Sequence, residues 1–262
     1  MTVSDIILNP IRFYRGLPDW VNEWPNMDNV IPGESYISGV DQVNYYTDWA
    51  IDNTMSLQLF LSVTGTENLT IYKLNETTGT FVLYDTIIPT EITPAGWVSQ
   101  KVNRYDYLYD EAGVYFLYSA SAGITSIKFL VSTELKYKKR LVRITYQNSF
   151  NDFDNIFFDN GTERFSGLCF FTGRLMLGGA GNEFSVFESD RHLLTKVRAT
   201  PYRMGLLELE DIHYAEMDRI NYILSCNTLT VNGVSYELKE MGEPEQIDKS
   251  SLYKISLKLT QK

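Results

Sequence analysis

Through residues 35–133 apolar side chains recur at every second position, the spacing of strands that turn one face to a core. Val43, Tyr45, Thr47, Trp49 and Ile51 share one such face. Met55, Leu57, Leu59, Leu61 and Val63 share another, with Ser56, Gln58 and Ser62 opposite. The same pattern predicts strands over 69–74, 80–87, 97–105, 114–120 and 126–132. Turn-forming stretches at Thr64-Gly65, 75–79, 94–96, 111–113 and Gly123 separate them. About seven short strands at this spacing predict a β-sandwich.

The pattern changes in the stretch that runs from Arg140 to Phe158. It opens as an alternating strand through Ile144 and Tyr146, breaks into polar turn formers over 147–152, and ends on large apolar residues. Beyond it, 165–177 reads as a strand or bent hairpin kinked by Gly167 and Gly173, and Gly178-Gly-Ala-Gly181 as a turn before a strand at 183–187. Residues 193–200 alternate, and Pro201 is expected to end that strand. Leu209, His213, Met217, Ile220 and Leu224 fall on one helical stripe, predicting a helix over 208–225 with acidic first turns. Asn232-Gly233 between alternating runs predicts a type I′ hairpin, and 253–259 a final strand. Residues 134–262 thus read as a smaller α+β domain, a sheet with one helix, making the chain mainly β.

Residues 1–34 carry Pro10, Pro18, Pro25 and Pro32, spacings too short for a stable helix. They also carry Phe13, Tyr14, Trp20 and Trp24, which a disordered tail would not. Two readings follow for this extended N-terminal arm. It packs on its own domain as an edge strand, or it lies on a neighbouring subunit with these four aromatics as inter-subunit anchors.

Composition narrows the function. A formal charge of −10 over 262 residues argues against gripping nucleic acid by phosphate neutralisation. It leaves room for a protein that surrounds DNA without holding it. Five Lys and Arg between 136 and 143 interrupt the acidic trend, a pattern that most often protects an edge strand. The first residues lack the basic and apolar regions of a signal peptide, and no apolar run reaches the roughly 20 residues a spanning helix needs. Cys169 and Cys226 lack metal-like spacing and are expected to be reduced and buried.

No catalytic, metal or cofactor motif emerges. Gly178–Gly181 lacks the strand-before, helix-after context of a phosphate loop. Asp152, Asp154 and Asp159 do not match a calcium loop and interleave with Phe153, Phe157 and Phe158, as in a turn between buried strands. His192 and His213, the two histidines, have no nucleophile-elbow motif beside them. The expectation is a protein without an enzyme site or cofactor.

Several phrases, taken in order, resemble a known family. They are Tyr45-Tyr-Thr-Asp-Trp49 with Ser56-Leu-Gln-Leu-Phe60, Leu141-Val-Arg-Ile-Thr-Tyr-Gln-Asn-Ser149, and Asn151-Asp-Phe-Asp-Asn-Ile-Phe157. Met217-Asp-Arg-Ile-Asn-Tyr-Ile-Leu-Ser-Cys226 and Val231-Asn-Gly-Val-Ser-Tyr236 follow. From about residue 35 onward this order resembles the tail ring (collar) proteins of crAss-like phages that infect Bacteroidetes. The resemblance implies a non-enzymatic virion protein made in the host cytoplasm. It would stack in the tail as a homo-oligomeric ring, twelvefold by family habit, docking neighbouring tail proteins around a channel through which DNA passes without specific binding. The alternatives are a carbohydrate-binding, adhesin-like sandwich and, with less in its favour, a hydrolase with a loop-built site.

Overall fold

The computed structural model describes residues 3–5, 9–15, 47–61, 67–92, 101–133, 141–148, 166–188, 194–213, 216–247 and 252–261. The chain is mainly β, with strands in three sheets. The first two are built from β1 (Val3–Asp5), β2 (Phe13–Arg15), β3 (Thr47–Ala50), β4 (Thr54–Leu61), β5 (Leu69–Asn75), β6 (Thr80–Ile87), β7 (Thr90–Ile92), β8 (Lys101–Leu108), β9 (Gly113–Ser119), β10 (Ile124–Ser126) and β11 (Phe129–Ser132). One sheet runs β1-β4-β8-β7; the other runs β2-β10-β9-β11-β3, with β5 on β9 and β6 on β5. Only β3 and β11 pair in parallel; the other described pairs in these sheets are antiparallel.

The two sheets share one core, and the alternation explains it. Met55, Leu57 and Leu59 of β4 face Ile71 and Leu117 of the other sheet's strands within a single apolar cluster that includes Trp49. Each fully buried aliphatic side chain contributes about 1.5–3 kcal/mol to such a core. The opposite face of β4 departs from expectation, because Gln58 is as buried as its apolar neighbours. Asn9 is the reason. Its amide donates to the Gln58 carbonyl at 2.7 Å and accepts from the Gln58 N–H at 2.8 Å, substituting for a strand partner.

The third sheet comprises β12 (Leu141–Gln147), β13 (Gly167–Glu188), β14 (Leu194–His213), β15 (Thr228–Val231), β16 (Val234–Met241), β17 (Glu245–Gln246) and β18 (Leu252–Gln261). Pairing of β14 with β18 closes six of these strands into a barrel, with β17 outside on β18. Ile144, Phe171, Leu207, Leu209, Val231, Ile255 and Leu257 alternate inward to fill it. Gly173 permits the close approach of β13 and β14, since a Cβ there would lie 2.2 Å from the Glu208 carbonyl oxygen. The helix α1 (Met217–Leu224) packs Ile220, Ile223 and Leu224 into the same interior.

Three expectations are corrected. Residues 208–213 are strand, not the first turns of a helix. Leu207 and Leu209 are buried on alternate positions of β14, and the i, i+4 stripe also satisfies period two at those residues. Gly178–Gly181 is not a turn but lies inside β13, at a register shift between Leu177 and Ala180. Pro201 does not end its strand. It pairs opposite Asn182 in a two-stranded ribbon, where a missing N–H is tolerated on an outer edge. The hairpin at Asn232-Gly233 is as expected, with φ of 51° and 83° at its two turn residues.

Adjacent residues of β13 join the barrel to the first core. Phe171 points into the barrel, whereas Phe170 points outward and meets Trp49 edge-on, with ring centres 5.1 Å apart. Strand alternation thus turns one Phe-Phe pair into a seam.

Candidate functional site

The described portions of the expected N-terminal arm are built into their own chain. Among the described strands, β1 is an edge strand on β4 and β2 an edge strand on β10. Phe13 is fully buried in the first core, so its ring packs within its own chain. Tyr14 lies on β2, with its backbone opposite Thr125. Trp20, Trp24 and the side chain of Tyr14 lie outside the described residues.

Arg219 of α1 fixes this segment to the barrel. Its side chain is completely buried, and Nη1 donates to the carbonyls of Asn9, at 3.1 Å, and of Pro10. Nη2 pairs with the buried carboxylate of Glu216, and the guanidinium lies over the Phe171 ring at 5.4 Å. An uncompensated buried cation costs several kcal/mol, and these contacts are what compensate it. The sequence carried a signal for this pair, because Glu216 and Arg219 stand i, i+3 around an otherwise apolar stripe.

An open pair of strand edges follows from the length of β13 and β14. Barrel pairing of β14 with β18 stops at Met204 opposite Thr260, yet β13 and β14 remain paired to Glu188 and Leu194. Residues 178–188 and 194–203 therefore form a ribbon that continues about 35 Å past the barrel at strand rise. Among the described residues its outer edges pair with no other strand. Two apolar side chains stand at its root, Leu177 at 74% exposure and Met204 at 41%. A second open edge is β6, which pairs only with β5 among the described strands and exposes Val82 and Leu83.

The remaining candidates separate as follows. Asp152, Asp154, Asp159 and His192 lie outside the described residues, as do 134–140 of the basic run. His213 ends β14, its backbone opposite Leu252. Cys169 and Cys226 are free and buried, and burial pushes both thiols up to about 12. Among the described residues no three His, Cys, Asp or Glu side chains are grouped to hold a metal ion. No helix among them is long and apolar enough to cross a membrane. The chain matches no family model, no curated protein and no solved structure.

Proposed function

We propose that this chain is a non-enzymatic structural protein of a phage virion, a ring or collar component of the tail that assembles in many copies around the DNA channel. In this reading the two-sheet unit is a β-sandwich, and the barrel with its helix is the α+β domain. The residue phrases that resemble the crAss-like phage ring proteins motivate the proposal, and the ribbon of β13 and β14 is the observation that carries it. A two-stranded ribbon alone in water is only marginally stable, and open strand edges are templates for pairing. A ring needs a patch on each copy that meets a different patch on the next. The ribbon supplies one half of such a contact, with Leu177 and Met204 as apolar anchors at its root. An exposed strand such as β6 supplies a chemically suited other half.

Electron microscopy and light scattering of the purified protein test this. Rings of uniform size are expected from the intact chain. Replacing residues 181–202 by an Asn-Gly turn should leave the barrel folded by circular dichroism and reduce the mass to that of a monomer. An intact protein that stays monomeric at high concentration, or a trimmed one that still forms rings, would overturn the reading.

A further inference from the structure

Residues 9–15 form a strap on which all three sheets converge. Residues 9–13 are buried throughout, with Ile11 and Phe13 at 0% exposure in the first core. Each sheet holds the strap, or β1 just before it, through a different group. On β4, the Asn9 side chain bonds the Gln58 backbone, and β1 sets Val3, Ser4 and Asp5 opposite Leu61, Phe60 and Leu59. On the second sheet, the Ile127 N–H donates to the Arg12 carbonyl at 2.9 Å. There β2 also sets Phe13, Tyr14 and Arg15 opposite Ser126, Thr125 and Ile124. On the barrel, Arg219 of α1 donates to the carbonyls of Asn9 and Pro10.

These contacts are non-covalent, and every receiving group lies beyond residue 47 of the chain. The body of one copy therefore presents the same groove to its own strap and to the strap of another copy. Exchange of an identical element between copies costs little, because the contacts are unchanged.

The length of the connection decides what is within reach. β2 and β3 are opposite edges of one sheet, in the order β2-β10-β9-β11-β3. At the usual spacing of strands that crossing is about 19 Å, which about six extended residues cover. The chain places 31 residues, 16–46, between them. Such a length spans up to roughly 100 Å, whereas a folded chain of this size has a radius of gyration of about 18 Å. The strap therefore reaches the groove of an adjacent copy as well as its own.

We propose that in the assembled protein the strap is exchanged, with β1 and residues 9–15 of one copy seated against β4, β10 and Arg219 of the next. This rests on the multi-copy reading above and names the element that ties neighbouring copies together. A copy leaving the assembly then has to withdraw a buried Ile and Phe from its neighbour's core.

Cysteine pairs in the full chain test this. Tyr14 lies opposite Thr125 and Ser4 opposite Phe60, a spacing across which a disulfide closes. Tyr14→Cys with Thr125→Cys, and separately Ser4→Cys with Phe60→Cys, are oxidised in the folded assembly. The remaining thiols are alkylated in denaturant, and the denatured protein is run without reductant. Sedimentation of the same samples gives the assembled mass. A ladder of linked chains is expected from at least one pair, collapsing to a single chain on reduction and absent from the four single-cysteine variants. A multi-copy assembly whose disulfides all lie within one chain would overturn the exchange and leave the ring reading intact. A protein that sediments as a single chain would overturn both. Failure of both pairs to oxidise in folded protein would also overturn the exchange, since the strap would not be seated in the groove.

Discussion

At the scale of single residues, burial sets chemistry that the sequence alone leaves open. Cys169 and Cys226 are both buried, with thiols raised to about 12, the first also influenced by the nearby Arg219 and Glu216. The thiolate is the reactive form, so neither cysteine should react with a thiol-specific disulfide reagent near neutral pH in the folded protein. Both should react in denaturant, and rapid native labelling of either would contradict the structure. Asp48 shows the opposite consequence of burial. Its folded-state carboxyl is raised, so the folded protein holds its proton to higher pH than the unfolded chain does. The resulting cost is absent below the ordinary value of 3.8, grows as pH rises through the folded value, and is constant above it. Asp48→Asn should therefore raise the melting temperature at neutral pH, and the gain should vanish in acid. A variant less stable than the parent at neutral pH would show that the charge is favourable where it sits.

At the scale of elements, the strands of the first unit follow from alternation, and the hairpin at Asn232-Gly233 from turn chemistry. What alternation could not supply was which chain segment covers which face. Gln58 read as a solvent position because it alternates with Leu57 and Leu59, yet it is buried, and Asn9, far away in sequence, bonds its backbone. The helix was placed too early because Leu209 and His213 obey periods of both two and four; barrel closure on β18 decided for strand. The approach of Asp48 to Asp211 was illegible for the same reason, since it depends on that closure and on a bulge no local signal announces. Arg219 makes the point energetically. Arg219→Met leaves the Glu216 carboxylate buried without its cation, a loss of about 3–5 kcal/mol. Urea unfolding should show that loss, and adding Glu216→Gln should restore part of it. Equal stability of parent and single variant would mean the pair is not buried in solution.

At the scale of the whole molecule, charge sets what the proposed ring would do to passing DNA. Each chain carries a formal charge of −10, so assembly as proposed would multiply a field that repels phosphate, and a channel lined by such copies would present little for DNA to adhere to. Binding through lysine and arginine would release counterions and strengthen steeply as salt falls. A local exception is the cluster of five Lys and Arg between 136 and 143, where Arg143 is exposed on β12. Fluorescence anisotropy of a labelled DNA duplex distinguishes the two regimes. No saturable binding is expected at physiological salt, and lowering the salt should bring on little. Tight binding that steepens at low salt and is abolished by changing Lys136, Lys138, Lys139 and Arg140 to Gln would reverse the assignment. That cluster would then be a DNA grip, and the acidic remainder a surface turned toward protein neighbours.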